Sequence, residues 1–373
     1  AKLVAFDSQI TPPSVSCDDP LLGNFDVGDL YIAPNGGSLG ESYTDNGARI
    51  FNFSWGANLN SYTTNAIEVD EFLFDNKNAM IFISAGNAGD DADSDGFPDL
   101  GTLGTPATTK NGLAIGASGV GNDLGEGGQP RDRAFFSSMG PAADTNPVSG
   151  RVAPQLMAPG NENGGGDMGM ASEYGCRSND NDQLSPVECD TISAIEGTSF
   201  AAPGAAGAGL LVRDYFAQGF YPDGTSSNPG NASDQVADIS GALVKSILIA
   251  SADFLDRQNV TYEFRFNNEQ GYGRINMANA LPLQNWPASA TGLAVADGGI
   301  AGGVNNLSGL SGVIAANAVT SQSATFEVCD DSRELRVALS WIDTDGVSAL
   351  VNDLDLVLQS PSGKLYWGNY FTD

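Results

Sequence analysis

The feature that most constrains this chain is a strand–helix–strand alternation in its first hundred residues. "ARIFNFSWG" (48–56) and "AMIFISAGN" (79–87) are short, bulky apolar runs closed by glycine or asparagine, the pattern of strands buried on both faces. Between them, "NAIEVDEFLFDNKN" (65–78) spaces Ile67, Phe72 and Leu73 for one helical face. Strand, helix, strand in that order is a βαβ unit, which implies a parallel sheet. "KLVAFD" (2–7) and "GLAIGAS" (112–118) read as further strands, and helices are predicted over 201–218, 240–251 and 274–281. The expected fold class is α/β, a parallel sheet with helices on both faces.

The pattern changes after about Pro287. Residues 288–320 are rich in Gly, Ala, Ser and Asn, and then "ATFEVCD", "ELRVALSWID", "DLDLVLQS" and "KLYWGNYF" alternate with period two. Alternating strands separated by turn residues predict a partial β-sandwich. The expected division is therefore 1–287 for the α/β domain and 288–373 for the β domain.

Charge narrows the partners. Forty-six acidic against 16 basic side chains give a net charge of −30, which would repel nucleic acid and anionic membranes. The same balance suits calcium binding and a secreted protein kept soluble in salt. The longest run of small and apolar residues, 201–212, is interrupted by glycine and proline and is too short to span a bilayer. The cysteines (Cys17, Cys176, Cys189, Cys329) lack metal-type spacing, and with no histidine in the chain a mixed Cys/His zinc site is excluded. Cys176 and Cys189 flank a polar, acidic loop; they are either a disulfide formed in an oxidising compartment or two unpaired thiols.

"IEGTSFAAPGAAGAG" (195–209) predicts a helix of minimal girth with Ser199 at its N-terminal end and Pro203 in its first turn. A serine there lies beside free N–H groups that can stabilise a developing negative charge. By itself the segment is equally a tightly packed helix with a capping serine.

Taken with the rest of the chain, this segment resembles the nucleophile region of the subtilisin-like serine proteases. "FISAGNAG" is similar to that family's oxyanion strand and loop, and "FNFSWG" to the extended segment that pairs with bound peptide. "FSSMGP" (136–141), "RVAPQLMAPG" (151–160) and "GYGRINMANAL" (271–281) resemble later stretches of the same catalytic domain, in the same order. The resemblance implies a serine endopeptidase acting through an acyl-enzyme, with Ser199 as nucleophile and Asn87 in the oxyanion hole. It places Ser54, Trp55 and Gly56, with Ser84, Ala85 and Gly86, in the substrate cleft. It also implies peptide substrates, secretion and a monomer.

One part of the family pattern is absent. The family uses Asp, His and Ser in that chain order, and this chain holds no histidine. "AKLVAFDSQ" resembles the strand that follows the family's histidine helix, so an N-terminally truncated catalytic domain is expected, inactive by itself; Asp7 stands on the wrong element to be the triad acid. A Ser/Lys mechanism would need a lysine beside Ser199, and the candidate, Lys245, is expected on a helix surface.

"DDADSDGFPDL" (90–100) sets Asp91, Asp93 and Asp95 at alternate positions, followed by Gly96 and then Asp99. Carboxylates at positions 1, 3 and 5 with glycine at 6 form the front half of a calcium loop, although position 12 is Thr102 rather than glutamate. Structural calcium is the expected cofactor. "VNDLDLVLQSPSGKLYWGN" (351–369) resembles the jelly-roll-like domain that follows the catalytic domain in some members of the family, and Asp353 and Asp355 there fit a half-exposed strand. The competing reading is a calcium-stabilised, non-catalytic binding or adhesion protein on the same fold.

Overall fold

A computed structural model describes residues 29–90, 98–119, 131–143, 150–161, 196–225, 234–256, 266–286, 289–290, 292–300, 303–310, 321–328, 333–347 and 349–369. The predicted strand 2–7 with Asp7, all four cysteines, and Asp91, Asp93 and Asp95 lie outside these residues.

Four parallel strands form the central sheet in chain order: β1 (Ile50–Phe53), β2 (Met80–Ser84), β3 (Leu113–Gly119) and β4 (Leu156–Asn161). Register pairs Ile50 with Met80, Phe82 with Leu113, and Ile115 with Leu156. β2 shows why its sequence lacks polar alternation. Met80 and Phe82 enter one core cluster while Ile81 and Ile83 enter another on the opposite face. A strand buried on both faces has no position left for a polar residue.

Helices cover each face. α1 (Gly37–Asp45) and α2 (Thr64–Asp75) lie with the second cluster, where Phe72 meets the edges of Tyr31, Tyr43 and Phe51 at centroid distances of 5.4, 5.9 and 5.3 Å. The apolar face of α2 is Ala66, Val69, Phe72 and Leu73, with Ile67 at its half-buried margin. On the other face lie α3 (Thr198–Ala217) and α4 (Gly241–Ser251), the latter capped by Ser240 Oγ, which accepts from the Leu243 N–H at 2.9 Å. α3 lies close to the sheet because its buried face is mostly alanine and glycine. A Cβ at Gly209 would stand 2.6 Å from the Phe82 ring. Although α3 is 20 residues long, no helix among the described residues is long and apolar enough to cross a membrane.

Three elements depart from the sequence reading. β4 falls in "RVAPQLMAPG", where Pro154, Pro159 and Gly160 mask the strand signal; parallel pairing to β3 forms it nonetheless. α5 spans only Met277–Ala280, because Arg274 is instead drawn into backbone bridges with Met157 and Asp253. α3 begins at Thr198, so Pro203 stands in the second helical turn rather than the first.

Two of the four C-terminal alternating segments form an antiparallel pair, β5 (Val357–Gln359) with β6 (Leu365–Trp367). The described parts of the other two, 324–328 and 334–343, carry no ladder. This C-terminal stretch is fastened to the α/β body through Asp343. Its carboxylate pairs with Lys110 Nζ at 3.2 Å, both side chains being buried, and its backbone exchanges two hydrogen bonds with the Asn111 side chain. Arg336 donates to the Ala250, Ser251 and Ala252 carbonyls at the end of α4, where the helix leaves acceptors unpaired.

Candidate active site

The carboxyl ends of the parallel strands meet at the first turn of α3, the position where open α/β sheets generally bind ligands. Each contributing strand sends one group. From β4, the Gly160 carbonyl accepts the Gly197 N–H at 2.8 Å. From the end of β2, the Gly86 N–H donates to Thr198 Oγ1 at 3.2 Å. Just beyond β1, Ser54 Oγ donates to the Ser199 carbonyl at 2.7 Å.

Asn87 is oriented by Thr198. Its Oδ1 accepts from the Thr198 N–H at 2.9 Å and from the Thr198 hydroxyl at 2.8 Å. A backbone N–H can only donate, so the amide atom facing it must be the oxygen, and the Nδ2 is turned the other way. Neither the Asn87 Nδ2 nor the Ser199 N–H has an acceptor among the described residues. Both nitrogens, and the Phe200 ring at 3.7 Å, lie around one point. A Cβ built at Gly197 would lie 3.4 Å from Asn87 Nδ2 and 3.7 Å from the Ser199 nitrogen. Gly197 leaves that point open, and its φ of 155° suits glycine.

The loop that carries Asn87 is held from behind. Ala88 N–H donates to Ser138 Oγ at 3.0 Å, Gly89 N–H to the Phe136 carbonyl at 2.9 Å, and Ser138 N–H to the Gly86 carbonyl at 3.0 Å. Arg133, buried, ties the same segment by donating to the Ser137 carbonyl at 2.9 Å, and burial pushes its pKa down.

Ser199 Oγ, half-buried, donates to the Ser54 carbonyl at 3.1 Å. Trp55 packs on Phe53 at a centroid distance of 5.1 Å, and Gly56 is exposed beside Thr105. Ala57 and Thr105 exchange backbone hydrogen bonds of 2.9 and 3.0 Å, which closes one end of this extended segment. Ser84 and Ala85 are buried, and the Ala85 carbonyl accepts from the Gly104 N–H at 2.8 Å. They form the floor below Gly86 rather than an exposed wall.

The structure thus gathers Ser199, Asn87, Gly86, Ser54, Trp55 and Gly56 on one rim. Asp99 is separate: its N–H reaches the Asp90 carbonyl and its own carbonyl accepts from Thr102 Oγ1 at 3.3 Å. No group of three or more acidic, Cys or His side chains among the described residues could hold a metal.

Lys245 is not on a helix surface as expected. It is buried, donates to the Lys110 and Gly112 carbonyls at 3.1 Å each, and burial pushes its pKa down to about 8. Its bonds are to the loop before β3, not to Ser199. Thr198 and Gly197 were missed as site residues in the sequence. Their adjacency to Ser199 was the available signal, but their partner Asn87 lies 111 positions away.

A family model described as the subtilase family, peptidase S8, matches residues 2–273. The chain belongs to the subtilase family. Among curated proteins, this subtilase is 26% identical over 236 residues to the serine protease/ABC transporter B family protein tagA of Dictyostelium discoideum. The match covers 60% of this chain and 11% of tagA, so the chain spans about a tenth of that relative's length. Among solved structures, the subtilase is similar to a protease from Pseudoalteromonas arctica at 18% identity, covering 66% of this chain and 52% of that one, with a TM-score of 0.35. It is likewise similar to the self-cleaved protease domain of PatA at 20% identity, covering 63% and 62% of the two chains, with a TM-score of 0.37.

Proposed function

We propose that this subtilase chain carries the nucleophile half of a serine endopeptidase site. One observation carries the reading: beside Ser199 Oγ, the nitrogens of two donors without acceptors among the described residues, Asn87 Nδ2 and the Ser199 backbone, lie 3.4 and 3.7 Å from the point a Gly197 Cβ would occupy. Such a pair suits the oxyanion of a tetrahedral intermediate. Ser199 Oγ adds to the scissile carbonyl carbon as its proton passes to a general base, the imidazole of a histidine-bearing segment, which later returns it to the leaving amine. The carbonyl oxygen becomes the oxyanion between the two donors. When it collapses, the C–N bond breaks, the amine leaves with a proton, and an acyl ester remains on Ser199 for water to cleave.

The substrate is a peptide in extended form. β1 pairs only with β2 among the described residues, so the segment from Ser54 to Gly56 is placed to add backbone hydrogen bonds to such a peptide. The proton acceptor is the missing component, since the 373 residues contain no histidine. Structural calcium at Asp91, Asp93, Asp95 and Asp99, a monomeric and secreted state, and a division into 1–287 and 288–373 belong to the same proposal. They rest on sequence pattern and family resemblance.

A fluorophosphonate probe tests the assignment. The chain by itself should leave Ser199 unlabelled. The same chain supplied with a histidine-bearing segment of the family should label, and Ser199→Ala should abolish that labelling. Strong labelling of the chain alone would show that another base serves Ser199. Absence of labelling in every form would favour the non-catalytic binding protein.

A further inference from the structure

Ser199 sits where a helix would ordinarily hold its carbonyl by a bond from the residue four positions on. In α3 that residue is Pro203, which has no N–H, and whose ring pushes against the preceding turn's carbonyl. The Ser199 carbonyl is therefore without its helical donor. A buried or half-buried carbonyl left in that condition costs free energy. A side chain 145 positions away fills the gap: Ser54 Oγ donates to it at 2.7 Å. The bond is returned, because Ser199 Oγ donates to the Ser54 carbonyl at 3.1 Å. Asn52 Nδ2 donates to Ser54 Oγ at 2.9 Å, and the hydroxyl's single proton goes to the Ser199 carbonyl at 2.7 Å in preference to Asn52 Oδ1 at 3.4 Å.

We propose that Ser54 is a positioning residue for the nucleophile: its hydroxyl replaces the backbone donor that Pro203 lacks and locks Ser199 to the substrate-binding strand. This rests on the serine-nucleophile reading above. The clasp joins the two parts whose separation sets the attack geometry, the peptide-pairing segment after β1 and the first turn of α3. A displacement of about 1 Å at such a joint costs on the order of 10²-fold in rate. Ser54 acts here through its side chain, and Ser54→Ala leaves the backbone that would pair with substrate unchanged. Loss of the hydroxyl should therefore fall on kcat rather than on KM.

The experiment is a double-mutant cycle with built-in rescue. In the chain supplied with a histidine-bearing segment, Ser54→Ala should lower kcat by about tenfold or more with KM little changed. Ser54→Thr, which keeps a hydroxyl, should retain most of the turnover. Adding Pro203→Ala to Ser54→Ala restores an N–H at the fourth position on, and should recover a substantial part of kcat. The same cycle measured as melting temperature on the chain alone needs no turnover, and should show that Pro203→Ala offsets the loss caused by Ser54→Ala. An unchanged kcat in Ser54→Ala, or strict additivity of the two substitutions in both measurements, overturns the proposal. If melting is coupled but no form turns over peptide, the serine-peptidase reading fails and the positioning role fails with it, while the bond itself stands.

Discussion

Asn87 and Thr198 show how the proposed oxyanion site depends on a residue that would do no chemistry itself. The Thr198 N–H and hydroxyl both fall on Asn87 Oδ1, which leaves the amide nitrogen beside Gly197, 3.4 Å from where its Cβ would stand. Gly197 keeps that point open only because it has no side chain. Gly197→Ala should place a methyl 3.4 Å from Asn87 Nδ2 and 3.7 Å from the Ser199 nitrogen. These are ordinary contact distances, so the chain should still fold, with a penalty on the order of 1 kcal/mol from its unusual φ. Turnover in the histidine-supplied form should nevertheless fall by about 10²–10³, the loss that removal of one oxyanion donor causes in a member of this same family. Steady-state kinetics beside circular dichroism checks this; full activity in Gly197→Ala would put the oxyanion elsewhere.

At the scale of elements, the two long helices on one face of the sheet do different work. α3 is small-faced so that its first turn can approach the strand ends, and it accepts a proline in its second turn because Ser54 supplies the missing donor. α4 carries a lysine inward. Lys245 anchors the loop before β3 by its two carbonyl bonds, and burial holds its pKa near about 8 against an ordinary 10.5. The folded value lies below the unfolded one. Between about pH 8 and 10.5 the unfolded chain keeps a proton that the folded chain has shed, so this group makes stability rise with pH across that window. Lys245→Met removes the titration while keeping the bulk. The difference in unfolding free energy, wild type minus variant, should climb by up to roughly 3 kcal/mol over the window. Urea unfolding at several pH values measures it, and a flat difference would mean that Lys245 titrates normally in the folded chain.

At the scale of the whole molecule, the C-terminal stretch is held to the α/β body by a buried polar joint. Asp70 on α2 accepts from the Lys110 and Asn111 N–H groups and from Thr109 Oγ1, which sets the loop that grips Asp343. Burial alone would raise the Asp343 pKa. The N–H groups of Val351 and Asn352, the Asn352 amide and Lys110 outweigh it and hold the carboxyl below its usual range. Asp343→Ala leaves the Lys110 ammonium buried without its carboxylate, and should cost about 3–5 kcal/mol. Denaturant unfolding with limited proteolysis of 333–369 should show a weakened fold and a more readily cleaved C-terminal stretch. A variant as stable and as resistant as wild type would mean that the joint is not held by this pair.

Much of this was legible along the chain. The strand runs 48–56, 79–87 and 112–118 announced β1 to β3, because strands buried on both faces leave an uninterrupted apolar signature. β4 was not legible: Pro154, Pro159 and Gly160 lower its strand signal, and it forms through pairing with β3 and through Met157, whose N–H donates to the Gly273 carbonyl and whose carbonyl accepts from the Ile275 N–H. Lys245 was misread as a surface residue, since a lone lysine in "GALVKSILIAS" says nothing about whether carbonyls await it inside. Ser199 and Asn87 were legible as residue types in a familiar order. The sequence by itself determined the parallel sheet, its helical layers and the acidic, histidine-free chemistry, because periodicity and composition are local properties. Only the tertiary structure decided that Asn87 turns its Nδ2 toward Gly197 and that Ser54 replaces the donor Pro203 lacks. Those are bonds between groups 111 and 145 positions apart, and their partners are chosen by how the strand ends and the helix meet in space.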